Sequence, residues 1–221
     1  MFDLLTETEA RIIACLVEKE TTTPEYYPLT LNSLTAACNQ KSNREPVVSY
    51  SEETVEKTLE ILRAKNMVYV FYGSTSRVPK YKHRLAQTFE LGPQETAIMS
   101  VLMLRGAQTI GELRERTSRI YEFPGLNEVN EALESLLKRD DDEPLIIKLE
   151  RQPGQKEARF AHLLCGNEFA ENSQPVAKES RAAQSAADTE KLAKVEQELA
   201  TLQEEFSSFK TEFAEFKKQF D

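Results

Sequence analysis

The stretch EARIIACLVEKE (residues 9–20) recurs as ETAIMSVLMLRG (residues 95–106), and this pair determines how the chain is organised. Each copy is an apolar run of helix length that opens with an acidic residue. Three further matches occur in the same order: LTLNSLTAACNQ (29–40) with AQTIGELRERTSR (107–119), VEKTLEIL (55–62) with VNEALESL (129–136), and KYKHRL (80–85) with RFAHLL (159–164). Ordered matches of this kind indicate an internal duplication.

Each repeat ends in segments that are typical of strands. MVYVFY (67–72) and LIIKL (145–149) are rich in β-branched and aromatic residues, and each precedes a turn-like segment and a return strand. The preceding segments, 55–62 and 129–136, carry apolar residues at i, i+4 and i+7, the stripe of an amphipathic helix. Three helices followed by a β-hairpin form a winged-helix domain. The sequence therefore predicts a mainly α protein with small β-hairpins, of class α+β.

The repeats and the composition after them predict the domain organisation. Two tandem winged-helix domains occupy residues 1–90 and 91–165. Residues 166–189 turn to Ala, Ser, Gln, Glu and Asn, a composition that cannot build a core and indicates a linker. Residues 190–221 regain an apolar period and are predicted to form a C-terminal coiled-coil helix.

The apolar positions of this last helix alternate in steps of three and four, which is the a/d seam of a coiled coil. A lone helix with this seam would expose five phenylalanines, so it must find partner helices or fold back on the body. Acids outnumber bases in the tail, which makes an amphipathic membrane helix the weaker interpretation. We expect a homo-oligomer. The predicted oligomerisation residues are Leu192, Val195, Leu199, Leu202, Phe206, Phe209, Phe213, Phe216 and Phe220.

The connection between the first two helices contains two prolines. Pro24 and Pro28 lack an amide proton and cannot continue a helix, so the first helix should end near Glu20. Tyr26 and Tyr27 are interpreted mainly as aromatic packing over the domain edge, with ligand contact as the alternative.

Thr30 is predicted to begin the second helix as its N-cap. Leu29 and Leu34 have the spacing of a hydrophobic staple around it. The second repeat supports this assignment, because Thr109 and Glu112 form a T-x-x-E capping box at the equivalent place.

The cysteine and histidine content excludes several kinds of site. Cys15, Cys38 and Cys165 are odd in number and far apart, which does not fit a disulfide framework or a zinc site, and they are interpreted as buried thiols. The two histidines, His83 and His162, occupy equivalent strand positions, which a shared fold explains as well as shared chemistry. No nucleophile with a base, no Gly-rich phosphate loop and no paired carboxylates accompany them. We expect no enzyme activity, no catalytic residues, no metal and no cofactor.

The chain has 221 residues and a net charge of -9, and no apolar run approaches the roughly 20 residues that cross a bilayer. We therefore expect a cytoplasmic protein without a membrane partner. Residues 166–221 contain 7 Lys+Arg and 12 Asp+Glu, so more than half of the negative excess lies in the tail.

Three long motifs carry a family resemblance: TPEYYPLTLNSLTAACNQKSNREP (23–46), LMLRGAQTIGELRERTSR (102–119) and RQPGQKEARFAHLL (151–164). With these motifs in this order, residues 1–165 resemble the YceH-like bacterial proteins, a group of tandem winged-helix proteins of uncharacterised function. The resemblance implies the fold and a cytoplasmic bacterial setting. The resemblance does not supply an activity, catalytic residues or a ligand, so functional residues are argued from the sequence itself.

The third helix of each repeat carries the wrong charge for a DNA-reading helix, which should present Arg, Lys, Asn or Gln to the major groove. In residues 51–65, the acids Glu52, Glu53 and Glu56 crowd the first half. In the second repeat, Glu128 and Glu131 do the same. Acids at a helix N-terminus also stabilise the helix by interacting with its dipole. In either case, these helices are poorly suited to reading the major groove.

Basic residues concentrate in the first hairpin and in a loop. SRVPKYKHR (76–84) has no acid and interleaves cations with an aromatic residue, a pattern suited to a phosphate backbone. NQKSNR (39–44) adds cations and amides, although closing the second helix explains that run about as well. Of Arg114, Arg116 and Arg119 in the second repeat, the first two alternate with Glu112 and Glu115, which indicates an ion-paired face. The candidate nucleic-acid-binding residues are Arg77, Lys80, Tyr81, Lys82, Arg84, Lys41, Asn43 and Arg44.

Two functions fit these patterns. The first is a DNA-binding, transcription-regulator-like protein that uses its basic wings and multiplies weak, salt-sensitive contacts through its tail. The alternative is a tandem winged-helix scaffold that binds protein partners through its acidic third helices. A winged-helix fold alone does not choose between them.

Overall fold

The computed structural model of the protein describes residues 3–72, 78–139, 143–151 and 154–166. These residues belong to one compact unit and combine α-helices with two small antiparallel sheets, which confirms the class α+β. The predicted linker after Gly166, the coiled-coil helix and its seam from Leu192 to Phe220 lie outside the described residues, as does Arg77.

The described elements follow the predicted order in both repeats. The first repeat consists of α1 (Glu7–Thr22), a 3-10 turn (Pro24–Tyr26), β1 (Leu29–Thr30), α2 (Leu31–Cys38), α3 (Glu52–Ala64), β2 (Val68–Phe71) and β3 (Lys80–His83). A short helix, α4 (Leu85–Thr88), leads into the second repeat. That repeat consists of α5 (Pro93–Arg105), α6 (Ile110–Thr117), α7 (Leu126–Leu137), β4 (Ile146–Lys148) and β5 (Phe160–His162).

Helices α1, α2, α3 and α6 begin where side chains satisfy their first amides. The Thr30 hydroxyl accepts from the Ser33 N–H at 3.3 Å, as predicted for an N-cap. Thr109 and Glu112 form the predicted reciprocal capping box, with the Thr109 N–H donating to Glu112 Oε2 at 2.9 Å. Helix α1 continues to Thr22, slightly beyond the predicted end, and its Thr22 hydroxyl donates to the Glu18 carbonyl at 2.9 Å.

The two sheets are built on the same pairing pattern. In the first sheet the order is β1-β3-β2, with Leu29 paired to Tyr81 and Val68 paired to His83. In the second, β4 pairs with β5 through Ile146 and His162, and an isolated bridge joins Gln108 to Phe160. The bridge stands where β1 stands in the first repeat. His83 and His162 therefore occupy equivalent register positions, as the duplication predicts.

Both repeats bury their helices in one continuous core. Val55 of α3 and Val129 of α7 are both 0% exposed, at the equivalent places that the duplication assigns them. Helices α1 and α5 pack together in the middle, and the Ser100 hydroxyl donates to the Ala14 carbonyl between them at 3.3 Å. Fully burying a residue such as Ile12 of α1 contributes about 1.5–3 kcal/mol. The boundary between two domains near residue 90 stays a prediction.

Candidate nucleic-acid interface

The outward side of the first sheet carries two exposed aromatic rings and two lysines. Side chains alternate between the faces of a strand, so Tyr69 and Phe71 point away from the core, and each is 44% exposed. Lys82 lies opposite Tyr69, and Lys80 lies opposite Phe71. Residues directly opposite each other in an antiparallel pair have neighbouring side chains. We call this set of four residues the aromatic-lysine face.

Lys82 also contacts the loop before β1. Its Nζ lies 5.7 Å from the centroid of the Tyr27 ring, a cation–π distance. The Tyr27 hydroxyl accepts a hydrogen bond from the His83 N–H at 3.1 Å, which fixes the ring beside β3. Burial raises the pKa of the Tyr27 hydroxyl, so it stays protonated. Tyr27 packs as predicted, whereas Tyr26 is 70% exposed and does not.

One acidic group lies near this face. Glu20 Oε2 is 2.8 Å from His83 Nε2, and the hydrogen bond with His83 lowers the pKa of the Glu20 carboxyl. The Glu20 carboxylate also interacts with the charge of Lys82 and offsets part of it. Within the described residues, neither Lys80 nor Lys82 belongs to a salt bridge. Their charges remain available to an anionic partner.

Tyr81 points the other way, which corrects the prediction that it belongs to the binding surface. It is 8% exposed and pairs with Val70 and Leu29 on the core side of the sheet. Burial raises the pKa of its hydroxyl. A ring in this position cannot stack on a base. The aromatic residues that sequence reasoning missed are Tyr69 and Phe71, and the alternation of MVYVFY against KYKH was the signal that could have found them.

Arg44 is buried, and its assignment as a nucleic-acid contact is therefore wrong. Its side chain is 0% exposed and its Nη2 lies 2.6 Å from Glu18 Oε2. The guanidinium also donates to the Ala37 carbonyl, at 3.0 Å from Nη2, and to Gln40 Oε1 at 3.1 Å. Arg44 ties the loop after α2 to helix α1. This agrees with the alternative interpretation of the run 39–44 as a structural turn.

The remaining candidates are dispersed. Lys41 and Arg84 are exposed, but they lie on different loops. Asn43 has φ of 57°, and its Oδ1 accepts from Arg105 Nη1 at 3.0 Å. The structure thus places Lys80 and Lys82 beside two aromatic residues. No described contact joins the loop residues to this group.

The second hairpin does not repeat this arrangement. Ala161 stands at the position equivalent to Lys82 and is 2% exposed. Arg159 stands at the position of Lys80, but its Nη1 is 2.9 Å from Glu112 Oε2 and donates to the Ala107 carbonyl at 2.7 Å. Lys148 Nζ lies 5.9 Å from the Phe160 ring centroid, but Phe160 is buried. Exposed aromatic rings beside lysines therefore occur in the first sheet alone among the described strands.

Helix α3 keeps its acids on the outside. Glu52, Glu53, Glu56 and Glu60 of α3 are exposed, and Lys57 Nζ is 2.6 Å from Glu53 Oε1. On α6, Arg116 Nη2 is 3.3 Å from Glu112 Oε1, as expected for an ion-paired face.

The described helices contain no span long and apolar enough to cross a bilayer, and the described residues hold no group of His, Cys, Asp and Glu suited to a metal ion.

These features define a duplicated helical protein with two small antiparallel sheets and a cationic, aromatic face on the first. Comparison with known proteins gives its family. A family model described as "Protein of unknown function, DUF480" matches residues 5–155. The chain is 45% identical over 202 residues to UPF0502 protein YceH of Escherichia fergusonii, covering 87% of this chain and 93% of the relative.

Other relatives show the same extent of similarity. A UPF0502 protein of Opitutus terrae is 49% identical over 172 residues, covering 78% of this chain and 74% of the relative. UPF0502 protein GSU0233 of Geobacter sulfurreducens is 45% identical over 194 residues, covering 87% of each chain. The chain belongs to this YceH-like UPF0502 family, and the resemblance drawn from its sequence motifs is confirmed.

Proposed function

We propose that this protein is a non-enzymatic, cytoplasmic tandem winged-helix protein that binds DNA through the aromatic-lysine face of its first hairpin. The observation that carries the proposal is the pairing of Tyr69 with Lys82 and of Phe71 with Lys80 across one exposed surface. Lysines attract phosphates, and exposed aromatic rings stack on bases of any sequence. The two contributions together fit binding that depends little on sequence.

The acidic third helices support a contact made by the hairpin instead of a helix in the major groove. Exposed carboxylates along α3 would repel phosphates at the place where a recognition helix normally lies. The hairpin offers a cationic strip that avoids this repulsion. Two lysines give weak attachment, so the predicted coiled coil of residues 190–221 would strengthen it by joining several copies. Sedimentation of the full chain at the mass of a monomer would remove this part of the proposal.

The test is a salt titration of binding to a random duplex and to a random single strand, followed by fluorescence anisotropy. We expect the double variant Lys80→Ala/Lys82→Ala to reduce the slope of log K against log salt by about 2 for the duplex, since each phosphate contact contributes about 0.9. Tyr69→Ala/Phe71→Ala should weaken binding to the single strand by roughly 1–3 kcal/mol per stacked base and leave the salt slope unchanged.

A matched control removes two exposed lysines elsewhere. Lys57→Ala/Lys138→Ala deletes the same charge from surface pairs with Glu53 and Glu134. It should leave the salt dependence of binding unchanged for both the duplex and the single strand. If the wild type binds neither nucleic acid at low salt, or if the control and the hairpin variant lose the same slope, the proposal is wrong.

A second candidate function rests on α3. Ile61 is 51% exposed on α3, and the same helix exposes the acids Glu53 and Glu60, which together form a surface suited to a basic and apolar protein partner. This is the scaffold interpretation. It predicts that Ile61→Lys abolishes capture of a cellular partner in the presence of nuclease, whereas Lys80→Ala/Lys82→Ala does not. The opposite pattern would contradict it.

A further inference from the structure

A small cavity lies where the two repeats meet. Its volume is about 110 Å³, and it is lined by α1, the segment 45–50, the end of α5, His162 of β5 and Cys165. Ala10, Val48, Leu102 and Met103 supply apolar walls. The cavity is on different elements from the aromatic-lysine face, so it is a separate site from the proposed DNA contact.

Arg11 lines this cavity with a guanidinium that is only partly satisfied. Arg11 is 4% exposed, and its Nη2 donates to the Pro46 carbonyl at 2.7 Å. Its Nη1 is buried and has no hydrogen-bond partner in the described part of the chain. No salt bridge among those residues includes Arg11. A buried cation normally has an anionic partner, because burial without one is strongly unfavourable.

The fold itself does not require this arginine. In the duplication, Ala97 of α5 stands where Arg11 stands in α1, and Ala97 is also fully buried. Arg44 shows how the same protein treats a structural arginine, since Glu18, Gln40 and the Ala37 carbonyl surround its guanidinium. Arg11 differs from Arg44 in that its charge faces a cavity and not a carboxylate.

The other ionisable groups around the cavity limit the charge of a ligand. Glu7 and Glu45 line it as well, and both residues are exposed, which places them at its rim. Burial lowers the pKa of His162 to about 4, so this lining residue is neutral at pH 7. The guanidinium of Arg11 is thus the cationic group of the lining, and two carboxylates at the rim would repel a dianion.

We propose that the cavity binds a compact monocarboxylate whose carboxylate accepts a hydrogen bond from Arg11 Nη1 and whose short apolar part lies against Leu102 and Met103. Arginine and carboxylate form a strong, charge-assisted pair. A cavity of about 150 Å³ accepts benzene, so 110 Å³ holds a ligand of roughly four to six non-hydrogen atoms. A simple short-chain acid and a small α-amino acid share this chemistry. An amino group would in addition face the carboxylates of Glu7 and Glu45.

The experiment uses the full chain at pH 7 in isothermal titration calorimetry, with the melting temperature as a second readout. The probes are propionate, L-alanine, propionamide and sulfate. We expect propionate or L-alanine to bind with one site per chain and to raise the melting temperature. Propionamide has the shape of propionate without its charge and should bind at least about tenfold more weakly. Sulfate should not bind at this site.

The variants locate the site and identify the source of the carboxylate. Arg11→Met should lose at least about tenfold in affinity while melting no lower than the wild type, because it removes a buried unpaired charge. Ala10→Leu fills the cavity without changing Arg11 and should also lose binding, whereas Ala36→Leu adds the same bulk on the exposed side of α2 and should not. Glu7→Gln/Glu45→Gln removes two negative charges from the rim and should strengthen the binding of propionate. If the natural ligand is an amino acid, the same variant should weaken the binding of L-alanine, because its amino group loses these carboxylates.

Two results would overturn the proposal. One is the absence of any effect of propionate and L-alanine on the wild type at millimolar concentrations. The other is binding that Arg11→Met and Ala10→Leu both leave intact. If Arg11→Met does not fold, Ala10→Leu and its Ala36→Leu control still decide the matter.

Discussion

Glu18 of helix α1 and Leu104 of helix α5 occupy equivalent positions in the two repeats, and both are buried, at 5% and 2% exposure. Glu18 holds Arg44 in an ion pair, whereas Leu104 packs in the core that both repeats share. Arg11 and Ala97 form a second such pair of positions. The two repeats therefore share the same strand register and bury equivalent valines, although the first buries charged residues where the second buries aliphatic ones.

The contrast between the repeats indicates which interactions specify the fold. Because the second repeat forms the same elements with aliphatic residues at these positions, the apolar pattern is sufficient, and the charges of the first repeat serve more local purposes. Arg44 anchors the loop 39–46 to α1. Replacing a buried ion pair with well-packed apolar residues is often neutral or stabilising, but removing one partner is strongly destabilising. The first repeat shows the buried ion pair, and the second repeat shows an apolar residue at the position of Glu18.

Breaking this ion pair should change the stability of the protein most. Arg44→Met should lower the free energy of unfolding by about 3–5 kcal/mol, because the buried Glu18 carboxylate would lose its close partner and keep only Lys19, at 3.9 Å. Chemical denaturation of the full chain measures the change. Glu18→Leu/Arg44→Met, which gives the first repeat the residue found at position 104, should recover most of the loss.

An exposed ion pair provides the control for this experiment. Lys57→Ala breaks a pair whose side chains are 71% and 74% exposed, and it should change stability by no more than about 0.5 kcal/mol. A double variant as unstable as Arg44→Met would contradict the view that an apolar interior is sufficient in the first repeat.

The two histidines give the second comparison, which depends on pH. His83 contacts Glu20, whereas burial lowers the pKa of His162 from 6.5 to about 4. In this range the unfolded chain binds a proton that folded His162 excludes, so stability falls as the pH decreases below 6.5. At about 1.4 kcal/mol per pKa unit, the loss between pH 7 and pH 5 is about 2 kcal/mol.

Denaturant titrations at several pH values test this prediction. In His162→Gln, the part of the pH dependence of the unfolding free energy that His162 contributes should disappear. His83→Gln is the matched variant in the other repeat, and the slope from His162 should persist there. Equal slopes in the wild type and His162→Gln would show that burial of this ring does not govern the acid sensitivity.

Much of this architecture could be predicted because its signals are local. Thr30 and Thr109 precede apolar runs at cap spacing, and the β-branched segments flank turn residues. The duplication also predicts which positions correspond, and Val55 and Val129 are indeed buried alike. The inferences about caps and strands need neighbours only a few residues away.

The site was harder to predict because it depends on direction and on distant partners. Tyr81 lies in a basic run, but strand alternation turns it inward and turns Tyr69 and Phe71 outward. Arg44 finds Glu18, 26 residues away in sequence. The one available signal was that Glu18 interrupts the apolar run of α1, which indicates a buried acid in need of a cation.

The caps of α2 and α6 should give the mildest change in stability. Thr109 and Glu112 bond each other's backbone amides at 3.2 and 2.9 Å, whereas Thr30 has Ser33 at the position of Glu112 and lacks the return bond from a carboxylate. Ser33 is exposed, so a longer side chain has room. Ser33→Glu should therefore complete a capping box in the first repeat and stabilise the protein by about 0.5 kcal/mol, or about 1–2 °C in melting temperature.

The reciprocal variant tests whether the two caps are interchangeable. Glu112→Ser should destabilise the protein by somewhat more than Ser33→Glu stabilises it, because Glu112 also pairs with Arg159 at 2.9 Å. Thermal melts of both variants beside the wild type measure the two changes. If Ser33→Glu lowers the melting temperature while Glu112→Ser also lowers it, the caps are not interchangeable, and the equivalence of the repeats ends at the level of the backbone.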